Sequence, residues 1–130
     1  MRRQVGLDAI IVNEGITNYP AICDHMAREK PGTMFTSGGS SLGWNGGAAI
    51  GMKLAAPDKT FVVLTGDGSY MFSAPSTVHW MARRYRTPFL QIVYNNRGWK
   101  GPKFSTLAIH PAGFASRDRY LRIAVVHCIV

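Results

Sequence analysis

The sequence predicts an α/β domain: a parallel sheet with helices on both faces. Three observations carry the prediction. Short continuous apolar runs at residues 8–13, 60–65 and 89–94 read as strands buried on both faces. Segments of helical character separate the strands, in the order βαβαβαβ. Between Gly68 and Asn95 lie 26 residues, enough for one crossover helix joining neighbouring parallel strands.

Residues 8–13, Asp-Ala-Ile-Ile-Val-Asn, form the first predicted strand. It runs into a polar loop of small side chains, Glu14 to Asn18. A helix is expected over residues 19–29, with Asn18 as N-cap, Pro20 in the first turn and Pro31-Gly32 as the stop. Thr33 to Thr36 reads as a short strand. The glycine-rich stretch Ser37 to Gly47 opens a helix over residues 48–56, ended by Pro57-Asp58. Glycines there serve either close approach to a ligand or tight helix-on-sheet packing, and spacing alone does not choose. The strand over residues 60–65 follows, then a helix from Ser76 to Tyr85 entered through Pro75, then the strand over residues 89–94. Residues 97–116, with Gly98, Gly101, Pro102, Pro111 and Gly113, read as an irregular stretch over the carboxyl edge of the sheet.

Bulk properties narrow the function. At 130 residues the chain fits one domain able to bury a core. The net charge of +8 invites a nucleic-acid reading. The basic residues are scattered, however, without zinc-finger spacing, an aromatic RNA-binding motif or a basic repeat. A polyanionic cofactor is the more economical use of the local positive charge, and no nucleic acid is expected. Cys23 and Cys128 make no disulfide framework or metal pattern. Asp8 and Glu14 interrupt the first apolar patch, so it is no signal peptide. The run Ile123 to Val130 is too short to span a bilayer. An intracellular, cytoplasmic protein without a membrane partner is expected, and Met1-Arg2-Arg3 is too little to argue for organelle import. His25 and His79 read as surface or packing residues; His110 could approach the active site, but a structural role is favoured. Met52, Met71 and Met81 read as core or near-core.

The chemistry concentrates between Gly66 and Trp99. Asp67 and Asn96 follow two apolar strands and would lie side by side at the carboxyl edge, where α/β sheets bind ligands. They offer two hard oxygen ligands for Mg²⁺, and the Gly98 carbonyl offers a third. Gly66 and Gly68 permit a sharp turn, and the amides of Gly68 and Ser69 can face a phosphate. A simple turn at Asp67-Gly68 and a strand-ending loop at Asn95-Asn96 are the bland alternative. The pairing of both features at this spacing favours a Mg²⁺–diphosphate ligand.

Gly66-Asp67-Gly68, 26 residues, then Asn95-Asn96 resembles the signature of the thiamine diphosphate (ThDP) dependent enzymes, the acetolactate synthase, benzoylformate decarboxylase and pyruvate decarboxylase group. Ser40 to Gly51 is similar to that group's glycine-rich loop and helix, and Asn13 to Thr17 to its first cofactor loop. Asn96 to Lys100 with His110-Pro111 looks most like acetolactate synthase-like members. The resemblance covers residues 8–116 as a partial diphosphate-binding (PP) domain; residues 1–7 and 117–130 have no counterpart.

The resemblance implies roles. Asp67, Asn96 and Gly98 would hold Mg²⁺. Gly66, Gly68 and Ser69 would hold the diphosphate, helped by Thr17 and Ser40. Leu42 would sit under the thiazolium and bend the cofactor, and Trp99 would line the cofactor or its diphosphate loop. The implied reaction is decarboxylation of a small 2-oxo acid such as pyruvate, then protonation or carboligation, the work of a lyase or transferase. The family's ring-activating glutamate lies in a separate pyrimidine-binding (PYR) domain or subunit, and the full enzyme is expected to be a homo-oligomer. Neither Glu14 nor Glu29 sits in that glutamate's motif, so no catalytic residue is assigned here. The chain also stops short of the family's remaining strands. A truncated gene product, or a domain cut from a longer enzyme, is expected. The alternative function is a catalytically incompetent cofactor-binding fragment.

Overall fold

The computed structural model describes residues 5–39 and 41–117. Four strands, β1 (Ile10–Glu14), β2 (Met34–Thr36), β3 (Phe61–Gly66) and β4 (Leu90–Tyr94), form one parallel sheet in the order β2-β1-β3-β4. Ile11 pairs with Met34 on one side and Val62 on the other, and Leu64 pairs with Ile92. The chain leaves β1 toward one edge and returns from β2 to its opposite side. The crevice beyond the carboxyl ends of β1 and β3 is therefore a topological switch point, where ligands bind in open α/β sheets.

Alternate side chains divide the core between the two faces, as the strand period requires. Ile11, Val62 and Leu64 point to one face, against Ile22 of α1 (Tyr19–His25) and Met26 at its end. Val12, Phe61 and Val63 point to the other, against Ala49 and the half-buried Ala48 and Met52 of α2 (Asn45–Ala55). Helices thus cover both faces, as expected. Burying each large apolar side chain is worth about 1.5–3 kcal/mol. Beyond β3 come α3 (Asp67–Phe72) and α4 (Pro75–Arg84). A Cβ added at Gly46 of α2 would lie 2.7 Å from Val78 Cγ1 of α4, so the two helices approach through a missing side chain.

Several boundaries differ from expectation. The helix predicted over residues 19–29 ends at His25, because Met26 leaves helical geometry and is buried in the core. Asn18 occupies the N-cap position but makes no side-chain cap bond. The helix predicted from residue 48 begins at Asn45, whose amide and side chain are held from β1. The six residues after β3 form the short helix α3, which glycine and serine content conceals.

The stretch 97–116 is not irregular. It contains α5 (Lys100–Ile109) and α6 (Phe114–Arg117). Gly101 and Pro102 lie in the first turn of α5, where a missing amide costs nothing, so residues read as breakers are a helix start. Met71 is 51% exposed, not near-core. The Ile123 to Val130 run and residues 1–4 lie outside the described residues. No described helix is long and apolar enough to cross a membrane.

Candidate functional site at the carboxyl edge of the sheet

Three connections leave the carboxyl ends of the strands and meet in one cleft. After β1 come Gly15 to Asn18, at the end of β3 Gly66 to Ser69, and after β4 Asn96 with Gly98 to Pro102. Leu42, from the turn before α2, completes the wall. The cleft is open to solvent. Thr17, Leu42, Gly66, Asp67, Gly68, Ser69, Asn96, Gly98 and Trp99 all line it. Ser40, the remaining predicted site residue, lies outside the described residues.

Asp67 is the hub. It opens α3 and is 2% exposed. Its Oδ1 accepts the Gly68 amide and its Oδ2 the Gly98 amide, each at 3.0 Å. The Gly68 amide, expected to face a phosphate, is therefore engaged by its neighbour's carboxylate. The second bond ties the loop after β4 to the end of β3.

Asn96 turns its side chain into the same region. Its Nδ2 donates to Thr17 Oγ1 at 3.4 Å, bridging the loops after β4 and β1. Its Oδ1 is buried and has no partner. A buried acceptor without a donor is costly, at roughly 1–3 kcal/mol, unless a ligand satisfies it. An acidic oxygen set with an orphaned amide oxygen beside it suits a small hard cation such as Mg²⁺.

Trp99 packs across the glycine turn. A Cβ added at Gly68 would lie 2.9 Å from Trp99 Cδ1, so only glycine admits the indole edge. Phe72 braces the ring from α3, with ring centroids 4.9 Å apart. Trp99 Nε1 is a second buried atom without a partner, here a donor.

Lys100, Gly101 and Pro102 line the cleft and were missed in the sequence. The signal for Lys100 was the basic cluster Arg97 to Lys103, which here borders an adjoining cleft with Trp99 and Phe104. Residues outside the cleft behave blandly. His79 stacks on Phe89, His25 bonds its own helix at Ala21, and Arg83, Arg84 and Arg86 are exposed. A hydrogen bond from Lys30 holds the Asp8 carboxyl below the usual carboxylate range. Interaction with the neighbouring Cys23 sulfur raises the Tyr19 phenol.

The chain resembles known proteins in sequence and in fold. Residues 15–117 match the family described as thiamine pyrophosphate enzyme, C-terminal TPP binding domain. Benzoylformate decarboxylase of Pseudomonas aeruginosa is 33% identical over 89 residues, covering 68% of this chain and 16% of that protein. The acetolactate synthase isozyme 3 large subunit of Escherichia coli is 37% identical over 70 residues, 53% of this chain and 12% of that protein. Among solved structures, the ThDP-dependent 4-hydroxybenzoylformate decarboxylase of Rhodococcus jostii RHA1 superposes with a TM-score of 0.82 at 26% identity, covering 97% of this chain and 23% of that one. The chain therefore spans under a quarter of the length of each of these relatives.

Proposed function

This chain belongs to the thiamine pyrophosphate enzymes through their C-terminal TPP-binding domain, and on that premise we propose that its cleft holds the Mg²⁺–diphosphate end of ThDP for an enzyme acting on 2-oxo acids. The observation that carries the proposal is the pairing at the strand ends. Asp67 is buried and fixed by two amides, and the buried Asn96 Oδ1 beside it in the cleft has no partner. Asp67, Asn96 and the Gly98 carbonyl would hold Mg²⁺. Gly66, Gly68, Ser69 and Thr17 would surround the diphosphate, with Ser40 from the glycine-rich loop. Trp99 Nε1 would donate to a ligand oxygen, and the Lys100 ammonium would add positive charge at the rim. Leu42 would support the ring end of the cofactor.

When bound, ThDP supplies an electron sink for loss of CO₂ from a 2-oxo acid, followed by protonation or carboligation. The side chains here bind and orient. Among the described residues, Asp67 is the acidic residue of the cleft, and the proposal gives it to Mg²⁺. Glu14 is buried against the turn before α2, and Glu29 lies outside the cleft. The acid that activates the ring is therefore assigned to a PYR domain or partner subunit, within a homo-oligomeric full enzyme.

The same observation favours a second reading of the isolated 130 residues: a fragment that binds cofactor and does not turn over. Titrating the purified chain with Mg²⁺ and ThDP by calorimetry tests the first proposal, and absence of heat at millimolar cofactor sinks it. Assaying CO₂ release from pyruvate, with and without a PYR-containing partner, tests the second. Turnover by the chain alone rules out the fragment reading.

A further inference from the structure

Glu14 is the buried carboxylate that the cofactor reading leaves without a role. It ends β1 and is 1% exposed. Its Oε1 accepts the Gly43 amide. Its Oε2 accepts both the Asn45 amide, at 3.0 Å, and the Asn45 side-chain Nδ2. Those donors lie at the entry to α2, 29 and 31 residues along the chain. An anion there also meets the favourable end of an 11-residue helix.

The anchor continues through the sheet. Asn45 is fully buried, donates to Thr65 Oγ1 of β3 at 3.1 Å, and accepts from Gln91 Nε2 of β4 at 3.0 Å. Glu14 thereby joins the turn to the three strands whose ends build the cleft. The turn has little freedom besides. Gly43 has φ +86, and a Cβ there would lie 2.7 Å from the Phe72 carbonyl carbon. The residue before Gly43 is Leu42, which lines the cleft.

We propose that Glu14 is a positioning residue that sets Leu42 in the cleft by clamping the amides of Gly43 and Asn45. The proposal rests on the reading of the cleft as a ThDP site. Glu14 does not line the cleft; its three donors belong to the turn that carries Leu42. A carboxylate is required because it accepts from three N–H groups at once. The isosteric amide of Glu14→Gln would turn one of those contacts into donor against donor.

The test measures binding of two probes to the full chain, Mg²⁺ with inorganic diphosphate and Mg²⁺ with ThDP, in wild type, Glu14→Gln, Leu42→Ala and the double variant. The diphosphate probe reports the Asp67–Asn96 side, and only ThDP reaches Leu42. Glu14→Gln is expected to weaken ThDP on the order of tenfold and to leave diphosphate affinity unchanged. In the Leu42→Ala background it should have no further effect on ThDP, because the two act through one contact. Hydrogen exchange of the Gly43 and Asn45 amides should accelerate while that of Val63 in β3 does not. Equal loss of both probes would show general loosening and overturn the proposal. Unchanged ThDP affinity, or an undiminished effect in the Leu42→Ala background, overturns it as well. Should Glu14→Gln fail to fold by circular dichroism, Glu14→Asp, which keeps the charge and shortens the reach, gives the same comparison. A wild type that takes up neither probe sinks the cofactor reading itself, and the positioning role with it; the two failures are thus distinct.

Discussion

Asp67 Oδ2 accepts the backbone N–H of Gly98 at 3.0 Å, across 31 residues of sequence. One carboxylate thereby fastens the loop after β4 to the end of β3. The same side chain is the proposed metal ligand, so structural and binding roles cannot be separated by deleting it. The conservative replacement is the informative one.

Asp67→Asn keeps the shape but removes the charge that two amides share. Hydrogen bonds to charged groups are the stronger kind, and the expected loss of stability is about 1–3 kcal/mol, read from urea denaturation. Mg²⁺-dependent ThDP binding should disappear, as calorimetry would show. Retained Mg²⁺-dependent affinity in a folded variant would remove Asp67 from the metal site.

Gly68→Ala places a methyl group where Trp99 now lies, at 2.9 Å from Cδ1. The indole must shift, at a cost of roughly 1–3 kcal/mol. Its fluorescence should change and ThDP affinity should fall. An unchanged emission spectrum would mean that Trp99 does not pack on the glycine in solution.

Gly46→Ala drives a methyl group into Val78 across the α2–α4 contact. About 1–3 kcal/mol of destabilisation is expected. Combining it with Val78→Ala should recover part of that loss, since the two residues share one contact. Strict additivity in thermal or urea melts would refute the contact.

The outer edge of β4 is unpaired in the described sheet, and its strand exposes Leu90 at 53% and Val93 at 37%. These side chains point to opposite faces, so the edge is apolar on both sides. Concentration-dependent self-association is expected in sedimentation velocity, and Leu90→Lys should reduce it. A monodisperse wild type at high concentration would count against this surface as a contact.

Much of the site was legible because its parts obey local rules. β3 and β4 are short apolar runs, and each is followed at once by a short polar residue, Asp67 after β3 and Asn95 after β4. The stretch over residues 97–116 misled, because Gly101 and Pro102 read as breakers until their place in the first turn of α5 is known. α3 stayed hidden for a related reason. A helix of six residues has too short a pattern for its period to register.

By itself the sequence determined the α/β class, the alternation of strands and helices, and the placement of Asp67 and Asn96 at neighbouring strand ends. All of these follow from side-chain period and turn chemistry within a few dozen residues. Only the tertiary structure decided that β1 lies between β2 and β3, and so put the cleft at a switch point. It alone made Glu14 the anchor of the turn beside Leu42 and joined Asn45 to Gln91, 46 residues away. Such contacts depend on which strands become neighbours, and a buried carboxylate's partners are chosen by that proximity rather than by any local pattern.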